Sequence, residues 1–134
     1  MLVEDDEVDI MNVQRTFKKQ NVQHRLDVAR DGREALLHLR TVGTKPQVIL
    51  LDINMPRMNG LEFLRELRAD PKLARIAVFV MSTSANPSDK SIAFQFNVAG
   101  YIVKPLSSED FNNSLSCLLR FWEICEFPEH LHSA

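Results

Sequence analysis

Two short, continuously apolar segments constrain the fold of this chain most. They are residues 48–51, Val-Ile-Leu-Leu, and residues 76–81, Ile-Ala-Val-Phe-Val-Met. Segments this short that end at polar residues are typical of strands buried on both faces, as in a parallel sheet. Weaker strand candidates lie at residues 2–3, 26–29 and 101–103. The pattern therefore predicts five strands.

Between these segments lie stretches of helical length whose apolar residues recur three or four positions apart. In the first four stretches these residues are Ile10, Val13 and Phe17; Ala35, Leu36 and Leu39; Leu61, Leu64 and Leu67; and Ile92 and Phe96. The fifth starts at Ser107, which with Asp110 resembles a capping box, and its apolar stripe consists of Phe111, Leu115, Leu118, Leu119 and Trp122. Five alternations of strand and helix predict an α/β fold, a doubly wound five-stranded parallel sheet with helices on both faces.

The length of 134 residues suits one domain. We expect this domain to cover residues 1–127 and a tail to cover residues 128–134, because Pro128 ends the last helix. The first strand is expected to be clipped or to begin at the chain start. The tail is too short for an output domain, so none is expected.

The charge of the chain is nearly balanced but unevenly distributed. The net charge of −2 argues against binding to nucleic acid or to a membrane surface. Five of the eighteen acidic residues nevertheless fall within the first nine positions: Glu4, Asp5, Asp6, Glu7 and Asp9. Acidic residues favour the first turn of a helix, and this explains Asp6, Glu7 and Asp9. Glu4 and Asp5 follow a strand and need another explanation.

The sequence predicts a cytoplasmic protein. The N-terminus is acidic where a signal peptide is basic, and the longest apolar run, residues 76–81, is far too short to span a membrane. Cys117 and Cys125 are eight positions apart on the predicted last helix, about 12 Å by helical rise and beyond disulfide reach. We expect both thiols to be buried or half-buried and reduced.

Polar residues collect where the predicted strands end, at the edge that carries the functional site in such sheets. Glu4 and Asp5 follow the first strand, Asp52 the third, Ser82 the fourth and Lys104 the fifth. Carboxylates this close repel one another unless a cation intervenes, and a few hard oxygen ligands are what Mg²⁺ prefers. With a lysine and a hydroxyl they make up a phosphoryl-transfer site, in which a carboxylate is itself a suitable nucleophile.

These residues resemble a known family. Segments 2–6 (Leu-Val-Glu-Asp-Asp), 52–60 (Asp-Ile-Asn-Met-Pro-Arg-Met-Asn-Gly), 80–83 (Val-Met-Ser-Thr) and 100–105 (Gly-Tyr-Ile-Val-Lys-Pro) are similar to the receiver domain of bacterial two-component response regulators. The spacings of 30 residues from Asp52 to the serine at 82 and of 22 from there to the lysine at 104 fit that family. The resemblance implies a flavodoxin-like (βα)5 receiver fold.

The resemblance also implies roles for the acidic residues and the lysine. Asp52 would be the phosphoacceptor. Glu4 and Asp5 would hold Mg²⁺, Asp5 as the direct ligand and Glu4 through water. Asn54 would offer its backbone carbonyl to the metal, and Lys104 would bind a phosphoryl oxygen.

Two further residues would form the switch. Ser82 stands where threonine is commoner in the family, and its hydroxyl would bond the phosphoryl group. Tyr101 resembles the aromatic switch residue that then turns inward, although a plain core or dimer-face aromatic remains an alternative. The bond from Lys104 to Pro105 is a candidate cis peptide.

The resemblance implies a signalling protein and not an enzyme in its own right. A sensor histidine kinase would donate the phosphoryl group, and output would be by contact with a downstream protein or by relay to a phosphotransfer protein. The surface of the fourth helix, fifth strand and fifth helix would change, with Phe94 as a candidate exposed contact. Segments 4–10, 41–46 and 121–128 are similar to the single-domain regulators paired with phytochrome-type kinases, a subgroup that often dimerises.

Three other functions compete with this interpretation. A haloacid-dehalogenase-like phosphatase needs a second aspartate two residues after the nucleophile, where this chain has Asn54. A flavodoxin-like mononucleotide binder needs a Ser/Thr/Gly-rich phosphate loop after the first strand, where this chain has Glu4, Asp5 and Asp6. The third is a receiver-type interaction module that is not phosphorylated, which the retention of every acid, the hydroxyl and the lysine disfavours.

Overall fold

The computed structural model describes residues 1–20, 25–43, 45–104 and 107–127. Within these residues five strands alternate with five helices. Their bounds are β1 Leu2–Val3, α1 Glu7–Lys19, β2 Val28–Ala29, α2 Gly32–Thr41, β3 Val48–Leu51, α3 Gly60–Ala69, β4 Ala77–Ser82, α4 Pro87–Gln95, β5 Gly100–Val103 and α5 Ser108–Ile124.

The five strands form one sheet in the order β2-β1-β3-β4-β5, and all neighbouring strands are parallel. One apolar core contains residues of α2, α3 and α4, and a second core contains residues of α1 and α5. Helices therefore cover both faces of the sheet, and the prediction of a doubly wound α/β fold is confirmed.

Strand β3 shows why a continuously apolar segment marks the middle of such a sheet. Successive side chains of a strand point to opposite faces. Ile49 and Leu51 accordingly lie in the first core, with Phe63 of α3, while Leu50 lies in the second core, with Ile10 of α1. Since helices cover both faces of the sheet, the side chains on both faces of β3 must be apolar.

Three strands differ slightly from their predicted bounds. Strand β4 is shifted by one residue, so that Ser82 is its last residue, and β5 begins at Gly100 instead of Tyr101. Strand β2 contains two residues and not the four predicted at 26–29. It is an edge strand that pairs only with the two residues of β1, which limits the length of the ladder.

Helix α4 buries less than its apolar spacing predicted. Ile92 and Phe96 are half-buried, Phe96 is the C-cap, and Ala93 is the buried residue of this helix. Phe94 is exposed, as predicted.

Ser107 caps the start of α5. The Oγ of Ser107 accepts a hydrogen bond from the Asp110 backbone N–H at 3.1 Å, which is one of the two bonds of the predicted capping box. Cys117 is exposed, so the expectation that it is at least half-buried is wrong; it lies on the solvent side of α5. Cys125 is half-buried.

No helix within the described ranges is long and apolar enough to cross a membrane.

Candidate functional site

Backbone hydrogen bonds between parallel strands bring four strand ends together at one edge of the sheet. The N–H of Asp52 donates to the carbonyl of Val3 at 3.0 Å, and the N–H of Lys104 donates to the carbonyl of Ser82 at 2.8 Å. Glu4 continues β1 and bonds through its N–H to Ala29 of β2 at 2.9 Å. The side chains after β1, β3, β4 and β5 are therefore neighbours because of strand register alone.

Three carboxylates converge at this edge. One carboxylate oxygen each from Glu4, Asp5 and Asp52 lies within 4.8 Å of the other two. Glu4 is 3% exposed and Asp52 is 6% exposed, whereas Asp5 is open to solvent. Burial raises the pKa of Glu4 to about 7, and the charge of Asp52 adds to this effect against the opposing influence of Lys104. The cluster is thus a site of concentrated negative charge that favours a cation.

Lys104 provides part of the compensating charge. Its Nζ lies 2.7 Å from Glu4 Oε2, 2.6 Å from Asp9 Oδ2 and 3.8 Å from Asp52 Oδ2. Burial alone would lower the pKa of Lys104, but its hydrogen bonds to Asp9 and Glu4 raise that pKa above the ordinary lysine value. The ammonium is therefore held charged beside Asp52.

The donor set of the cluster fits a hard divalent cation. All its ligand atoms are carboxylate oxygens, and the exposure of Asp5 leaves one side open for water or phosphate oxygens, as Mg²⁺ and Mn²⁺ require. Asn54 follows on the exposed loop after β3, where its N–H donates to Asp52 Oδ1 at 3.4 Å. The use of its backbone carbonyl as a ligand stays a prediction.

The loop that follows Asp52 is fixed by contacts at its far end. Arg57 adopts the left-handed backbone region, with φ of 61°, and its Nε donates to Asp31 Oδ2 at 2.5 Å. The N–H of Gly60, the first residue of α3, donates to the Ile53 carbonyl at 2.8 Å. A Cβ at position 60 would lie 2.5 Å from the carbonyl oxygen of Asp52, so this close approach requires glycine.

A chain of hydrogen bonds leads from the site to α4. Ser82 is fully buried, and its Oγ accepts from the N–H of Ser84 at 3.2 Å. The Tyr101 hydroxyl donates to the Ser84 carbonyl at 2.7 Å, and the Ser84 hydroxyl donates to Asp89 Oδ2 at 2.6 Å. Tyr101 is half-buried and packs at the margin of the first core. Ser82, Tyr101 and the first turn of α4 are therefore connected through Ser84.

The structure brings together Glu4, Asp5, Asp52 and Lys104, and places Ser82 at the same edge of the sheet. The functional roles predicted for these residues and for Tyr101 remain predictions. The candidate cis bond before Pro105 lies outside the described residues.

Two contacts at the site were not foreseen from the sequence. The preference of acidic residues for a first helical turn explains the position of Asp9 in the sequence, yet its carboxylate also binds Lys104. The sequence contains one signal for this contact, the helical spacing of Asp9, Thr16 and the C-cap Gln20, which places all three on one side of α1. This side faces the protein, because Thr16 bonds to Asn112 of α5 and Gln20 bonds to Ser116 of α5. The second contact is the hydrogen bond from the Ser84 hydroxyl to Asp89, and no pattern in the sequence indicates it.

With this site at the carboxyl edge of a doubly wound sheet, the molecule has the architecture of a phosphoacceptor signalling domain. Residues 1–116 match the family described as "Response regulator receiver domain", and the chain belongs to this family. A phosphoacceptor role in two-component signalling goes with that membership.

Individual relatives cover almost the same span. The response regulator Rcp1 of Synechocystis sp. is 34% identical over 127 residues, which are 91% of this chain and 86% of that protein. The crystal structure of the phosphorylated cyanobacterial phytochrome response regulator RcpA is similar with a TM-score of 0.89 and 35% identity, covering 95% of both chains. The Mn²⁺-bound form of Rcp1 is similar with a TM-score of 0.89 and 34% identity, covering 95% of this chain and 96% of that one.

Proposed function

We propose that Asp52 accepts a phosphoryl group from the phosphohistidine of a partner kinase. Glu4, Asp5 and Asp52, with the backbone carbonyl of Asn54, would hold Mg²⁺ during the transfer. The observation that carries the proposal is the buried carboxylate of Asp52, which lies in a three-carboxylate cluster and 3.8 Å from the buried ammonium of Lys104. The similar protein Rcp1 has been solved in a Mn²⁺-bound form, which supports the binding of a divalent ion.

The transfer needs a nucleophile and compensation of charge. An oxygen of Asp52 attacks phosphorus, a P–O bond forms, and the P–N bond to histidine breaks with its electron pair remaining on the imidazole nitrogen. Mg²⁺, when bound, neutralises oxygens of the phosphoryl group. Lys104 binds another of these oxygens, which it reaches by a short movement because its Nζ already lies beside Asp52.

The phosphoryl group then acts on the switch residues. Its oxygens attract the hydroxyl of Ser82 toward Asp52, and Ser84 follows because its N–H bonds to Ser82 Oγ. Ser84 carries hydrogen bonds to both Tyr101 and Asp89. The position of the Tyr101 ring and of the first turn of α4 is thereby made dependent on phosphorylation.

The partners are inferred from the relatives and from the exposed surface. A phytochrome-type sensor histidine kinase is the proposed donor, because RcpA is a phytochrome response regulator. Phe94 of α4, Val103 of β5 and Phe121 of α5 are exposed apolar side chains, and we assign this α4-β5-α5 surface to a homodimer and to the downstream or phosphotransfer protein. The receiver would comprise residues 1–127, residues 128–134 would form a tail, and the protein would act in the cytoplasm.

The direct test is intact-mass spectrometry after incubation with acetyl phosphate and Mg²⁺. Wild-type protein should gain the mass of one phosphoryl group, and the gain should disappear with a chelator or in the Asp52→Asn variant. Asp70→Asn, which changes an aspartate at the far end of α3, is the matched control and should be phosphorylated like wild type. Absence of label in folded wild-type protein, or label retained in Asp52→Asn, would contradict the proposal.

A further inference from the structure

Lys104 has a carboxylate partner that lies outside the metal cluster, and this partner has no assigned role. We propose that Asp9 is a positioning residue that retains the Lys104 ammonium when a divalent cation takes over Glu4 and Asp52, and so strengthens binding of the cation. The inference rests on the proposed function, because it presupposes a cation at the acidic cluster.

The geometry gives Asp9 a close contact with a buried lysine. Its Oδ2 lies 2.6 Å from Lys104 Nζ, and the lysine side chain is only 6% exposed. A hydrogen bond between two ionised groups is stronger than a neutral one, and only the Asp9 end of this contact, at 23% side-chain exposure, is partly open to water. Asp9 therefore makes a substantial contribution to fixing the ammonium.

The cation and the ammonium would share two carboxylates. Glu4 Oε2 is 2.7 Å from Lys104 Nζ and Asp52 Oδ2 is 3.8 Å from it, while both carboxylates also belong to the metal cluster. A cation bound there draws electron density away from these contacts and repels the ammonium. Asp9 is outside the metal cluster, so its contact with Lys104 survives cation binding.

Asp9 is held on a rigid element, which suits a positioning role. It lies in the first turn of α1, whose N-cap Asp6 accepts hydrogen bonds from Val8 N–H at 2.8 Å and Asp9 N–H at 3.2 Å. The next turns are anchored by the buried side chains of Ile10 and Val13. Without the Asp9 carboxylate, Lys104 has only Glu4 and Asp52 as acidic partners among the described residues, and it would compete with the cation for both.

The first test is titration calorimetry with Mg²⁺ alone. Asp9→Asn should raise the dissociation constant about tenfold, the lower end of the range for residues that orient ligands from outside the metal shell. Asp6→Asn is the matched control, because it removes one nearby negative charge and keeps a good N-cap residue. The control should change the constant by less than about threefold, since the charge at position 6 is exposed.

The second readout is the rate of phosphorylation by acetyl phosphate as Mg²⁺ is varied. In Asp9→Asn the Mg²⁺ concentration for half-maximal rate should rise about tenfold, while the rate at saturating Mg²⁺ changes much less. Should Asp9→Asn fail to fold by circular dichroism, Asp9→Ser takes its place.

The outcomes separate this inference from the function on which it rests. A dissociation constant for the Asp9 variant no higher than that of Asp6→Asn would overturn the inference. A fall in the saturating rate with an unchanged Mg²⁺ dependence would also overturn it. If wild type and Asp6→Asn bind no Mg²⁺, the proposed function itself fails.

Discussion

Helices α3 and α4 occupy equivalent places in the fold but are held differently. Each follows a strand whose end carries a site residue, Asp52 for α3 and Ser82 for α4. Helix α3 buries Gly60, Phe63, Leu64 and Leu67, and a reciprocal capping box closes its first turn. All nine residues of α4 are described, and among them Ala93 alone is buried. Burial of apolar side chains is the main contribution that holds a surface helix in place. Displacing α4 should therefore require less free energy than displacing α3.

The two ends of α4 also differ. At its C-terminal end, Arg68 of α3 donates through Nε to the Phe96 carbonyl at 2.8 Å. At its N-terminal end, Asp89 is bonded to Ser84, which is bonded to Ser82. In the proposed switch, a change at Ser82 would therefore be transmitted to the first turn of α4, while α3 and the Asp52 loop would keep their positions. On this proposal the well-packed helix α3 would hold the Asp52 loop in place, and the less buried helix α4 would respond to phosphorylation.

Removal of one phenylalanine ring from each helix should give the largest contrast. Phe63 is fully buried in α3, and Phe94 is 52% exposed on α4. Phe63→Ala should lower the free energy of unfolding by about 3–5 kcal/mol because it leaves a cavity. Phe94→Ala should lower it by less than about 0.5 kcal/mol. Urea denaturation followed by circular dichroism measures both values, and equal losses would show that α4 is packed as firmly as α3.

Addition of one methyl group at the start of α3 should have the next largest effect. A Cβ at Gly60 would lie 2.5 Å from the Asp52 carbonyl oxygen and 2.7 Å from Ile53 Cα, both backbone atoms. Gly60→Ala should therefore destabilise the protein by about 1–3 kcal/mol in the same denaturation experiment. At Gly43, where a Cβ meets no described atom within 4 Å, the same substitution should be nearly neutral. A neutral Gly60→Ala variant would contradict a tight joint between α3 and the Asp52 loop.

A smaller loss than at Phe63 or Gly60 is expected where Tyr101 of β5 bonds to the segment before α4. Tyr101→Phe removes the hydroxyl that donates to the Ser84 carbonyl at 2.7 Å and keeps the ring. The loss of one hydrogen bond should cost about 1 kcal/mol. Thermal or urea denaturation would register this loss. A variant as stable as wild type would mean that Ser84 is not held through Tyr101.

The sequence predicted the fold and most of the site for the same reason. Buried parallel strands must be apolar, so a polar residue directly after one, such as Asp52 after Val48–Leu51, falls at the carboxyl edge. The contact between Asp9 and Lys104 joins residues 95 positions apart and depends on how α1 lies against the sheet. The weak burial of α4 was also not predictable, because the spacing of Ile92 and Phe96 indicates an apolar face without showing how deeply the core covers it.

Amide hydrogen exchange with Mg²⁺ and beryllofluoride, a phosphoryl mimic, tests the central claim most directly. In wild-type protein we expect protection to change in the segment from Ser84 to Gln95, which contains α4, and to stay constant in α3. No such change is expected in Asp52→Asn. Equal changes in α3 and α4, or the same response in Asp52→Asn, would contradict the claim that occupation of Asp52 is read out through α4.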